Sequence, residues 1–113
     1  MSSMPDSPTV HEIPATELKA MLDRGDAFEL IDVRSPQEHA YAVIPGARLL
    51  DQESYDELTQ KDRATPLVFS CHHGERSRAA AHHFLQLGFE NVKNVRDGIE
   101  GWSLNVDPSV RRY

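Results

Sequence analysis

Cysteine is nearly absent from this sequence: Cys71 is the single one. An internal disulfide is therefore excluded, and so is a cysteine-rich zinc site built by one chain. An unpaired thiol suits a reducing compartment. No apolar stretch approaches the ~20 residues needed to span a bilayer. Met1 to Pro8 holds no basic residue and no apolar core, so it reads as the start of a disordered leader (residues 1–9) rather than a secretory signal. Together these absences favour the cytoplasm and argue against a membrane partner. Runs of basic residues are missing as well, and the net charge is −6, which argues against nucleic acid as a partner. An anionic small molecule would need a locally built site. Repeats and low-complexity segments are also lacking.

What is present is the pattern of a single domain, residues 10–106, followed by a tail, 107–113, that begins at Asp107-Pro108. Val10 to Ile13 alternates like a strand, and Pro14 opens a helix through Leu18, Met21 and Leu22 that Gly25 ends. Phe28 to Val33 is a second short strand. Ser35-Pro36-Gln37-Glu38 is a helix start with a capping box, and Pro45-Gly46 stops that helix. Ala47 to Leu50 reads as a strand and Glu53 to Thr59 as a small helix. Pro66 to Ser70 is the most strand-like run. Ser77 to Leu87 is the strongest helix, and Gly88 provides its left-handed cap. Asn91 to Val95 is a last strand, and Asp97-Gly98 starts a last helix carrying Ile99 and Trp102, with Trp102 expected in the core. Five strands alternating with helices predict an α/β fold: a central, mostly parallel five-stranded sheet with helices on both faces. In such sheets ligands bind at the carboxyl ends of the strands.

Cys71 stands at one of those ends, between the apolar run Leu67-Val68-Phe69 and a helix start. Backbone N–H groups and the positive end of a helix dipole both favour a thiolate there. The bland alternative is a small buried hydrophobe. In Cys71-His72-His73-Gly74-Glu75-Arg76-Ser77, Gly74 lets the backbone turn, successive N–H groups can form a nest, Arg76 adds positive charge and Ser77 can cap the helix. These features predict a Cys71 pKa below the free value of about 8.5. Four residues separate Cys71 from Arg76 and six separate it from Arg78. Neither matches the spacing with which a cysteine phosphatase wraps a tetrahedral phosphate, and the tighter loop suits a smaller anion such as a persulfide sulfur. His72 and His73 are expected to act through their backbone donors, because a thiolate needs no general base. Glu75 is expected to point outward, Arg78 to lie on the surface, and Arg34 to pair with Glu38 while Asp32 caps backbone N–H groups. His82 and His83 face away from the loop, so no metal is expected.

Three segments carry a resemblance to a known family. Leu30-Ile31-Asp32-Val33-Arg34 with Glu38 and Ile44-Pro45-Gly46-Ala47 is similar to the N-terminal signature of single-domain rhodaneses. Cys71 to Ser77 resembles the family's active loop, and Asp97-Gly98-Ile99-Glu100-Gly101-Trp102 resembles its C-terminal signature. The match runs from about Val10 to Trp102. The chain departs from the pattern at Ala42 and Val43, where Gly-His is common, and at Ile99, where a second glycine is common and a larger residue is expected to narrow the room beside the loop.

The resemblance implies a thiosulfate:cyanide-type sulfurtransferase without a cofactor. Cys71 would be the catalytic nucleophile, and His72, His73, Gly74, Glu75 and Arg76 the substrate-binding loop. The implied partners are a small anionic, thiosulfate-like donor and a thiol or protein acceptor; monomer and dimer are both open. The alternative within the family is a relay module that carries persulfide sulfur for a protein acceptor. A phosphatase or arsenate reductase of related loop architecture is disfavoured by the spacing to Arg76.

Overall fold

The computed structural model describes residues 9–113; Met1–Pro8, most of the expected leader, lies outside the described residues. Five strands and five helices follow in strict alternation: β1 (His11–Ile13), α1 (Ala15–Arg24), β2 (Glu29–Asp32), α2 (Pro36–Tyr41), β3 (Arg48–Leu49), α3 (Gln52–Thr59), β4 (Leu67–Ser70), α4 (Glu75–Gln86), β5 (Val92–Val95) and α5 (Gly98–Asn105). The sheet has the order β1-β5-β4-β2-β3, and every described pairing is parallel. It is therefore wholly rather than mostly parallel, because each connection between paired strands is a helical crossover.

Local chemistry explains most of the element ends. The capping box of α2 is formed: Ser35 Oγ accepts from the Glu38 N–H at 3.1 Å, and Glu38 Oε1 accepts from the Ser35 N–H at 3.0 Å. Asp51 and Ser54 make the equivalent exchange at the start of α3. At the end of α4, Gly88 takes a positive φ and Phe89 folds back so that its N–H reaches the Phe84 carbonyl. The start of α4 differs from expectation: the helix begins at Glu75 rather than Ser77. Gly74, at φ 98°, turns the chain straight into the helix, so the loop after β4 is shorter than the sequence suggested.

Alternating side chains of the sheet divide the core in two. On one face Leu30, Val68 and Val95 pack with Leu18 and Met21 of α1 and Ile99 and Trp102 of α5. On the other, Ile31, Phe69 and Val92 pack with Leu58 of α3 and Ala81, Phe84 and Leu85 of α4. Helices thus cover both faces, as a parallel sheet requires. β4 lies in the middle of the sheet, and Asp32 at the end of β2 is in register with Ser70 at the end of β4. Cys71 therefore leaves the sheet at its centre, on the same edge as Asp32 and Arg34.

Candidate active site

The loop from Cys71 to Ser77 curls around the Cys71 sulfur. The Gly74 N–H donates to Sγ at 3.1 Å, the Ser77 N–H at 3.4 Å, and the Ser77 hydroxyl lies 3.3 Å from Sγ. Cys71 is only 1% exposed. Burial pushes the thiol up, but the Ser77 hydroxyl and the N–H groups of Ser77, Gly74 and His73 together hold its pKa below the ordinary value. The donors form a nest that favours negative charge on the sulfur.

Two glycines give the loop its place. A side chain on Gly74 would collide with the Arg96 carbonyl, and one on Gly98 would collide with the carbonyls of Cys71 and His72. That close approach lets the N-terminus of α5 hold the loop from below: the Ile99 N–H donates to the Cys71 carbonyl at 2.9 Å and the Glu100 N–H to the His72 carbonyl at 3.2 Å. Ile99 does not narrow the room beside the loop. Its side chain is buried in the core cluster that holds Trp102, and its backbone N–H binds the loop at the Cys71 carbonyl.

Beneath the nest lies a buried polar relay that sequence reasoning missed. Asn94, fully buried on β5, accepts from the Ser77 hydroxyl through Oδ1 at 2.5 Å and donates through Nδ2 to the Gly74 carbonyl at 3.0 Å and to Glu12 Oε1 at 2.9 Å. Glu12 in turn holds Arg78 at 2.8 Å, so Arg78 is a half-exposed link between α4 and β1 rather than a free surface charge. An amide in the interior of a central strand was the available signal, since a buried amide needs partners.

The charged residues pair differently from expectation. Arg34 does not reach Glu38. Its guanidinium grips Asp32 with two bonds of 2.7 Å, both side chains almost wholly buried, and donates again to the Ala42 carbonyl at 2.5 Å. Asp32 accordingly spends its carboxylate on Arg34, and on His39 Nδ1 at 2.7 Å, instead of capping backbone groups. Because a carboxylate only accepts, His39 carries its hydrogen on Nδ1. Glu38 instead holds Arg76 through bonds of 2.7 and 3.0 Å, and this pairing keeps Glu38 far below the usual carboxylate range. Glu75 is exposed, as expected.

The tail, 107–113, returns to the site. Tyr113 stacks on His72 with ring centroids 4.0 Å apart, and His72 stacks on His73 at 3.9 Å. Burial, then the Glu38 carboxylate, raises the Tyr113 phenol above its ordinary value, so the hydroxyl keeps its proton. It donates to Glu38 Oε2 at 2.6 Å and accepts from Arg34 Nη1 at 2.9 Å. Burial first, then His73, lowers the His72 pKa and favours its neutral ring. Within residues 107–112 the one signal for this return was Val110, an apolar residue that packs against the core.

Among the described residues, no group of three or more histidine, cysteine or acidic side chains is arranged to hold a metal ion, and no helix is long and apolar enough to cross a membrane.

Residues 14–105 match the model of the rhodanese-like domain family. The chain is 34% identical over 97 residues to a thiosulfate sulfurtransferase GlpE of Pseudomonas paraeruginosa, covering 85% of this chain and 86% of that one. Among solved structures it is similar to the human single-domain sulfurtransferase TSTD1, with 28% identity, a TM-score of 0.67 and coverage of 88% of this chain and 98% of that one. It is also similar to part of the reduced Bacillus anthracis CoADR-RHD, with 25% identity and a TM-score of 0.73 over 91% of this chain but only 18% of that one.

Proposed function

Since this chain belongs to the rhodanese-like family, we propose that it is a sulfurtransferase that moves a sulfane sulfur from thiosulfate or a similar donor to a thiophilic acceptor through a persulfide on Cys71. The observation that carries this reading is the ring of donors on Sγ: the N–H groups of Gly74 and Ser77 and the Ser77 hydroxyl. The same donors that favour the thiolate also suit the outer sulfur of a persulfide anion.

In the first half-reaction the Cys71 thiolate attacks the sulfane sulfur of thiosulfate. The new S–S bond forms as the old one breaks, and the bonding pair leaves with sulfite. In the second, an acceptor such as cyanide attacks the outer sulfur, giving thiocyanate and returning the thiolate. No proton is transferred in either step, so His72 and His73 are not asked to be bases. The loop residues His72, His73, Gly74, Glu75 and Arg76 hold the donor mainly through backbone N–H groups. The charge of Arg76 is already balanced by Glu38, so it orients the anion less than a free arginine would. An ionised, unpaired thiol persists best in reducing surroundings, which supports the cytoplasm as its compartment.

The test is intact mass after exposure to thiosulfate. The protein should gain one sulfur atom, cyanide should remove it, and Cys71→Ser should gain none; uptake by Cys71→Ser refutes the mechanism. The Arg76–Glu38 pair favours a second reading, a relay module that takes its sulfur from a protein. Negligible thiosulfate:cyanide turnover together with ready loading by a cysteine desulfurase selects the relay.

A further inference from the structure

The segment after α5 crosses the active loop and is fastened on both sides of it. On the α5 side, Arg112 pairs with Glu100 at 2.7 Å. On the α2 side, the Tyr113 ring meets the edge of Tyr41 at 5.8 Å, and the Arg111 guanidinium lies over Tyr41 at 5.4 Å. Between these anchors Tyr113 meets the loop directly at one end and reaches the other through Glu38. Its ring covers His72, the residue after Cys71, and its hydroxyl binds the Glu38 that holds Arg76. Tyr113 is 44% exposed, so its ring forms an outer wall instead of filling the core.

We propose that Tyr113 is a specificity-determining residue: its ring, laid on His72 and tied to Arg34 and Glu38, narrows the approach to Cys71 and selects small sulfur donors over bulky ones. The proposal rests on sulfur transfer at Cys71 for its biological meaning, but access to the thiol can be read without it. A ring laid on His72 and tied by its hydroxyl to Glu38 and Arg34 restricts size by shape, and steric selection of this kind is worth about tenfold or more in relative rate.

Two measurements on Tyr113→Ala and Tyr113→Phe test it. The first compares alkylation of Cys71 by iodoacetamide and by a polyethylene-glycol maleimide. In Tyr113→Ala the maleimide-to-iodoacetamide rate ratio should rise by about tenfold. Tyr113→Phe keeps the ring but loses both hydroxyl bonds, so its ratio should fall between wild type and Tyr113→Ala. The second compares persulfide formation from thiosulfate and from an aromatic thiosulfonate, and the ratio should shift toward the thiosulfonate in the same order. Equal gains for small and large reagents would mean general loosening and overturn the proposal, as would an unchanged ratio in Tyr113→Ala. If melting shows that Tyr113→Ala is unfolded, the Tyr113→Phe ratio decides alone. If the wild type takes sulfur from neither donor, sulfur transfer fails while the alkylation ratios still decide the role of Tyr113.

Discussion

Removing the Ser77 hydroxyl should raise the Cys71 pKa, and the structure limits by how much. Ser77 Oγ lies 3.3 Å from Sγ and 2.5 Å from Asn94 Oδ1. A hydroxyl has one hydrogen, so it cannot donate to both at once. With the thiol protonated, the shorter geometry sends that hydrogen to Asn94. On ionisation it gains by swinging to the sulfur, because a hydrogen bond to a charged group contributes about 1.5–3 kcal/mol against about 0.5–1.5 for a neutral one. The net preference for the thiolate is therefore only about 1–1.5 kcal/mol, or close to one pKa unit. The sign follows from which form loses the donor. In Ser77→Ala the thiolate loses it, so the midpoint moves up, and below that midpoint the thiolate fraction falls by about tenfold. The N–H donors of Gly74 and Ser77 remain, so the site should stay active.

The assay is the second-order rate of iodoacetamide alkylation against pH. Wild type should show a midpoint below the free thiol value of about 8.5, and Ser77→Ala a midpoint higher than wild type by about one unit. The rate of persulfide formation at neutral pH should fall in proportion. A midpoint that moves by less than about 0.3 unit, or moves down, would refute the assignment of Ser77 as a donor to the sulfur.

Asp32→Asn should leave the Arg34 guanidinium buried without its counter-charge, at a cost of about 3 kcal/mol or more, seen as a lower urea midpoint at unchanged slope. Glu38→Gln keeps an oxygen for the Ser35 N–H but removes the charge opposite Arg76. The freed Arg76 should lower the KM for thiosulfate by about threefold, corresponding to about 0.7 kcal/mol, with kcat little changed in steady-state assays.

What could be read in the sequence was what neighbouring residues decide between themselves. The capping box of Ser35 and Glu38, the glycine end of α4 and the strand-to-helix turn at Cys71 depend on residues a few positions apart, and each formed. Charge partners are chosen by distance in space, and here local spacing misled. Arg34 and Glu38 sit at a tempting interval, but the end of β2 turns Arg34 back onto Asp32 and frees Glu38 to cross to the active loop. The same freed carboxylate then becomes an acceptor for Tyr113. One misassigned pair thus hid two features: the neutralisation of Arg76 and the docking of the tail.

The part of the site that sequence did not show has a common physical character. Asn94, Glu12 and Tyr113 belong to elements far from Cys71 along the chain, and none has a motif of its own. They act through Ser77, Gly74 and His72, the loop residues whose backbone geometry was legible. The loop sequence therefore specifies that a thiolate is favoured, while its distant supports set how strongly. The relay under Ser77 tempers the thiolate, since Asn94 competes for the hydroxyl, and the ring over His72 restricts what reaches it. Chemistry and selectivity are thus placed on different residues of one site, and a change at Asn94 or Tyr113 can retune the reaction without touching Cys71.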